Sequence, residues 1–198
     1  MLSPFYKTYL YDNFEEFRKY QYKVKTRLDL QEIVQNLDRL DKVPNRTADL
    51  NWIDTSNITN MERMFSWSNF NGNISKWDVS HEKTMYKMFN QTTFNGDISE
   101  WDVSNVLEMS GMFKYSIFNG DISKWNVSNV KHMSEMFYDS AFNQDISNWD
   151  VSNVQDMDKM FFNSEFKGDI SKWKFKDGVN KNFMFSNNKD FLFSNNKD

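Results

Sequence analysis

The chain has 198 residues, a formal net charge of −4 and no cysteine. That length suits one domain with a sizeable core, and an aromatic content of 17% supplies large buried areas despite a mean hydropathy of −0.77. The charge argues against a phosphate-backbone binder, so no nucleic-acid partner is expected, and the missing cysteine excludes disulfides, iron–sulfur clusters, thiolate zinc sites and a Cys-linked lipid anchor.

The start, MLSPFYKTYLYDNF, has no basic region followed by an apolar stretch, and no window approaches 18 apolar residues. Neither a secretory signal nor a membrane-inserted helix is therefore expected, and a cytoplasmic or virion-associated location is favoured. Phe5, Tyr9, Phe14 and Phe17 fall at roughly helical intervals opposite Glu15, Glu16, Arg18 and Lys19. They read as a cap helix or as an aromatic docking segment for a partner.

Tyr20 to Val24 alternates like an edge strand. Thr26 then stands as a helix N-cap, with Leu28, Ile33, Val34, Leu37 and Leu40 as the apolar stripe and Pro44 as the stop. Residues 1–48 are thus expected to form an N-terminal extension and cap.

From residue 49 to 185 the chain repeats. Trp52, Trp77, Trp101, Trp125, Trp149 and Trp173 recur at 25 and then 24 residues, and Phe65, Phe89, Phe113, Phe137, Phe161 and Phe185 recur at 24. A fixed period of this length marks a solenoid, whose units bury their apolar faces against their neighbours. Within one unit, Phe118 to Ser123 alternates as a short strand, Ser128 is a plausible N-cap, and Val130, Met133, Met136 and Phe137 take helical spacing. The expected fold is an α/β repeat of about six 24-residue coils, each a short parallel strand plus a short helix, behind an N-terminal helical cap.

The segments DISEWDVSNVLEMSGMF, DISKWNVSNVKHMSEMF and DISNWDVSNVQDMDKMF resemble the bacterial surface protein 26-residue repeat. This is the DUF285, BspA-like group related to leucine-rich repeats. The similarity covers roughly residues 49–185, and DLNWIDTSNITNMERMF resembles the group's first repeat. The resemblance implies a right-handed, leucine-rich-repeat-like solenoid and a role in binding or adhesion. Many members are surface lipoproteins, whose anchoring cysteine this chain lacks.

Past Phe185 the pattern decays into a cap or tail, residues 186–198, which contains most of the duplicated octapeptide FMFSNNKD and FLFSNNKD. No nucleotide-binding, zinc-protease or nucleophile-elbow motif is present, and His81 and His132 lie two repeats apart. No enzymatic activity and no cofactor are expected. Asp97, Asp121, Asp145 and Asp169 would stack at one strand spacing, either bonded to backbone N–H, Ser and Asn groups or forming a row of weak calcium sites. Tyr115, Tyr138 and Phe162 lie in pairs that vary between units and could form an aromatic strip for a protein partner. The expected role is a non-enzymatic module binding a protein or glycan. The alternative is a structural component of a phage virion or surface appendage, docked through Phe5, Tyr9, Phe14 and Phe17.

Overall fold

The computed structural model describes residues 22–37 and 48–188. The stretch carrying Phe5, Tyr9, Phe14 and Phe17, the expected stop at Pro44 and everything from residue 189 onward lie outside them.

Strand β1 (Tyr22–Lys23) pairs in parallel with β2 (Ile53–Asp54), Tyr22 opposite Ile53 and Lys23 opposite Asp54. Helix α1 (Arg27–Leu37) lies between them in sequence. It starts where Thr26 can close a reciprocal cap. The Thr26 Oγ1 accepts from the Asp29 N–H at 3.2 Å, and Asp29 Oδ2 accepts from the Thr26 N–H at 3.1 Å. Ile33 and Val34 are buried as expected, but Leu28 is 58% exposed and belongs to the outer face, its place in the core taken by the buried Leu30.

The remaining chain divides at its own period into unit 1 (49–72), unit 2 (73–96), unit 3 (97–120), unit 4 (121–144), unit 5 (145–168) and unit 6 (from 169). Equivalent positions of successive units lie side by side. Isolated parallel bridges link Asn60, Thr84, Glu108, His132, Asp156 and Asn180, each 24 residues from the next. Two phenylalanine columns fill the interior. Phe65, Phe89, Phe113, Phe137, Phe161 and Phe185 stack at 5.2 to 5.8 Å between centroids. Phe70, Phe94, Phe118, Phe142 and Phe166 stack at 6.2 to 6.4 Å. Within a unit the columns interlock, for example Phe113 against Phe118 at 4.2 Å.

The expected helix at Val130–Phe137 is not a helix. Those four apolar residues are buried, as their spacing implies, but the hydrogen bonding differs. Met136 N–H returns to Met133 O and Tyr138 N–H to Glu135 O, three residues back, which makes successive tight turns. The alternate N–H groups leave the unit: Met133, Glu135, Phe137 and Asp139 donate to the carbonyls of Asp156, Asp158, Met160 and Phe162. An N–H committed to the next unit cannot close an i→i−4 bond. Ser128 is accordingly no N-cap; its N–H donates to Asn126 Oδ1 at 3.2 Å.

The turns require left-handed backbone twice per unit, at Arg63 and Trp67, Lys87 and Gln91, Gly111 and Tyr115, Glu135 and Asp139, Lys159 and Asn163, and Phe183 and Asn187, with φ between 49° and 62°. Only one of these twelve positions is glycine, so the stack holds the others in place against a local cost of about 1–2 kcal/mol each.

The expected strand at Phe118–Ser123 is also absent as a regular strand, although its alternation of burial holds: Phe118 and Ile122 are buried, Asn119 and Asp121 exposed. Asparagine side chains displace the backbone ladder here. Asn71, Asn95, Asn119 and Asn143 each offer Oδ1 to the backbone N–H of the residue 24 further on, at 2.7 to 2.8 Å.

At the front of the stack α1 stands in for a missing unit. In later units the carbonyl equivalent to Glu62 O accepts an N–H from the unit before. Here the Arg27 guanidinium of α1 donates to Glu62 O instead. At the back, Ser186 O accepts from Asn163 N–H at 3.0 Å, and the buried Asn188 Nδ2 donates to Phe166 O at 2.7 Å. The first three residues of the expected tail thus continue unit 6.

Candidate functional site

In units 1 to 5 the segment M-x-x-M-F-x-x turns its Met and Phe inward and most of the two intervening pairs outward, Asn90, Ser110 and Gly111 being buried; unit 6 carries an exposed Lys181 at the first methionine position. These outward pairs run up one face of the stack, alongside the hydrogen-bonded ladder. They are also where the units differ. Each unit places one aromatic ring there: Trp67, Tyr86, Tyr115, Tyr138, Phe162 and Phe183.

The three expected members of an aromatic strip are contiguous. Tyr115 and Tyr138 meet edge to face at 5.3 Å, and Tyr138 stacks on Phe162 at 4.9 Å with 9° between the planes. They meet although Tyr115 and Tyr138 sit at different positions of the repeat, because Tyr115 N–H donates to Tyr138 O, 23 residues on. Lys114 is packed among them. Its Nζ lies 4.3 Å from the Tyr138 ring centroid, 5.3 Å from that of Tyr115 and 2.7 Å from Glu135 Oε2. Burial and the neighbouring Tyr115, Asp139 and Glu135 hold the Tyr138 hydroxyl above its ordinary value.

Cations accompany two further rings. Arg63 and Lys87 lie 5.3 and 5.0 Å from the Tyr86 centroid, and Lys159 lies 5.7 Å from that of Phe183. Hydrogen bonds from both cations keep the Tyr86 hydroxyl below its ordinary value, Lys87 contributing most. Trp67 is 74% exposed and Phe183 63%. A search for columns of identical residues passes over Trp67, Tyr86 and Phe183, because each occupies a different place in the unit. The signal that finds them is one aromatic per unit, counted over the whole outward segment.

The aspartate row takes a separate face. Asp97, Asp121, Asp145 and Asp169 each turn Oδ1 to the backbone N–H of the serine two residues on, at 2.8 to 3.0 Å. These are Asx turns. Those N–H bonds, followed by the serine hydroxyls, hold all four carboxyls below the usual carboxylate range. Among the described residues no group of three or more His, Cys, Asp or Glu is placed to share an ion. A second such row, Asp78, Asp102, Asn126 and Asp150, turns in the same way toward Ser80, Ser104, Ser128 and Ser152.

The serine–asparagine and tryptophan positions of the repeat are clamps rather than sites. Asn105, Asn129 and Asn153 donate Nδ2 to the carbonyls of Ser80, Ser104 and Ser128 in the preceding unit. Trp77, Trp101, Trp125, Trp149 and Trp173 donate Nε1 to the carbonyls of Leu50, Ile74, Ile98, Ile122 and Ile146 at 3.0 to 3.2 Å. Among the described residues no helix is long and apolar enough to cross a membrane.

No curated protein and no solved structure matches the chain. The family described as "Mycoplasma protein of unknown function, DUF285" matches it over residues 29–139 and again over 114–197, together spanning most of its length. The chain belongs to the DUF285 family.

Proposed function

We propose that this chain is a non-enzymatic interaction module, a leucine-rich-repeat-like solenoid that engages a protein partner through the outward face of its hydrogen-bonded ladder. One observation carries the reading: the interior is nearly constant from unit to unit, while the outward pairs vary and still present one ring per unit. Aromatic residues ringed by polar and charged neighbours are the usual anchors of protein interfaces.

Orientation favours a protein over a glycan. Sugars stack on an exposed ring face, whereas within the contiguous strip Tyr138 and Phe162 lie parallel at 4.9 Å and each covers one face of the other. The charges on this face are mixed in sign, with Lys87, Lys114 and Lys159 interspersed among Glu62, Glu135 and Asp158, which suits a peptide surface better than a polyanion.

The test compares the native chain with a Tyr115→Ala/Tyr138→Ala/Phe162→Ala variant as bait in cross-linked extracts of the source cells, alongside a glycan array. Loss of a saturable, stoichiometric protein partner in the variant, with an unchanged melting temperature, supports the reading. Equal capture by both, or binding confined to the array, overturns it.

A further inference from the structure

Unit 2 breaks the repeat at two adjacent positions. Units 1, 3, 4 and 5 carry Asn57-Ile58, Asn105-Val106, Asn129-Val130 and Asn153-Val154, whereas unit 2 carries His81-Glu82. The asparagine of units 3 to 5 clamps its unit to the one before. His81 makes no such bond among the described residues; it is exposed and its Nδ1 lies 3.2 Å from Ser80 Oγ of its own unit.

Glu82 is the stronger anomaly. It is fully buried, and neither carboxyl oxygen reaches hydrogen-bond geometry with a partner. Its place in the stack follows from the backbone on either side: Lys83 N–H donates to Thr59 O, and Leu107 N–H donates to Lys83 O. Glu82 therefore stands between Ile58 and Val106 in a column continued by Val130 and Val154, all of them at most 2% exposed.

A carboxylate in such a column is strongly disfavoured, while a neutral acid is tolerated at lower cost. Burial pushes the Glu82 carboxyl up to about 8, Asp78 of the same unit adds to this, and the Met61 backbone N–H offsets it in part. Among the described residues no cation bears on it; the neighbouring Lys83 reaches toward Asn105 Oδ1, at 3.5 Å.

We propose that the junction between units 1 and 2 is a protonation-gated yielding point. With Glu82 neutral, the stack is continuous from the α1 cap to unit 6; removing its proton loosens the cap and unit 1 from the rest. The opening would release the carbonyls of Thr84, Tyr86, Met88 and Asn90, now held by the N–H groups of Met61, Arg63, Phe65 and Trp67. It would thereby turn a covered ladder edge into one able to accept another chain, next to the exposed Trp67.

The direction follows from linkage. The closed junction keeps a proton that the opened one, with a carboxyl near its ordinary 4.5, gives up. The opening equilibrium therefore rises with pH between those two values, by up to about tenfold per unit, and levels off above the higher one.

Hydrogen exchange on the full chain reads this directly. The protection factors of the Met61, Arg63, Phe65 and Trp67 amides, corrected for intrinsic exchange, should fall by up to about 100-fold from about pH 5.5 to about pH 7.5. The equivalent amides Met109, Gly111, Phe113 and Tyr115 should stay level and serve as the internal reference. Glu82→Val, which installs the residue of units 3 to 5, and Glu82→Gln, which cannot ionise, should both flatten the response. A fall of the same size in both sets of amides overturns the proposal, as does a pH response that persists in either variant.

Discussion

The indole N–H of Trp125 reaches back 27 residues to the carbonyl of Ile98, at 3.0 Å, and four other tryptophans make the same bond at the same separation. The ring fills the core and its nitrogen ties one unit to the unit before. Trp125→Phe keeps most of the apolar bulk but removes the indole donor, leaving the Ile98 carbonyl only its bond from the Trp101 N–H at 3.2 Å. It is expected to cost about 0.5–1.5 kcal/mol, read as a lower denaturation midpoint. Trp67→Phe, at the exposed tryptophan, should leave the midpoint unchanged. Equal effects of the two substitutions would remove the clamp from the account.

The left-handed positions give a prediction with opposite signs at related sites. Gly111 has φ of 62°, and a Cβ built there would lie 3.0 Å from Lys87 Cγ. Gly111→Ala should therefore destabilise by about 1 kcal/mol or more. Gln91 has φ of 53° without glycine's freedom, so Gln91→Gly relieves strain while adding freedom to the unfolded chain. The net effect should be neutral to stabilising by up to about 1 kcal/mol. Thermal melts of both variants check the signs.

Acid should destabilise the stack by a route separate from Glu82. Asp54, Asp97, Asp102, Asp121, Asp145, Asp150 and Asp169 are all held below their ordinary 3.8, chiefly by their bonds to the serine two residues on. A group whose folded value is depressed contributes stability above its unfolded value and loses it as pH falls through both. Melting temperature should accordingly drop below about pH 4. Asn126 already fills one of these positions and accepts from Ser128 N–H, so the turn needs an acceptor and not a charge. Combined Asp→Asn changes at 97, 121, 145 and 169 should preserve folding and blunt the acid limb. An unaltered acid limb would place its origin elsewhere.

Calcium should not move the melting midpoint. The carboxylates of the aspartate row are each engaged with their own serine turn, and none shares a cluster with two further ligating side chains among the described residues. A midpoint raised by millimolar calcium and restored by chelator would show that the turns open to bind the ion.

Burial was far more legible in the sequence than hydrogen bonding. The positions of Val130, Met133, Met136 and Phe137 identify the buried residues correctly, because spacing records which side chains face inward. The same spacing misidentifies the element. A run of tight turns with two left-handed residues places apolar groups at much the same intervals as a helix, and the choice between them depends on where each N–H goes. That destination lies 23 residues away, at Asp156 for Met133, and no local pattern encodes it. Thr26 was readable as a cap because its partner, Asp29, is three residues distant. The strip formed by Tyr115, Tyr138 and Phe162 was readable from variability alone, whereas its extension to Trp67, Tyr86 and Phe183 required knowing that both outward pairs share one face. Glu82 stood in plain view at a valine position, but only its full burial without a charged partner among the described residues gave it meaning.

The single-period reach of every clamp between residues 48 and 188 bears on how such a chain finds its register. A Trp–Ile or Asn–Ser bond that spans one unit forms equally well between units that are not neighbours in sequence, if the unit between them is looped out. The entropic penalty for the longer loop is small, about 0.6 kcal/mol for each doubling. Near-identical units thus create a family of shifted pairings almost as good as the native one, and such traps are characteristic of repeat chains. The irregular residues then act as addresses. Glu82 at a valine position, Gly111 among side-chain-bearing left-handed residues and Lys167 at the end of the asparagine ladder each mark their unit as unlike its neighbours. What interrupts the repeat is also what tells one unit from the next.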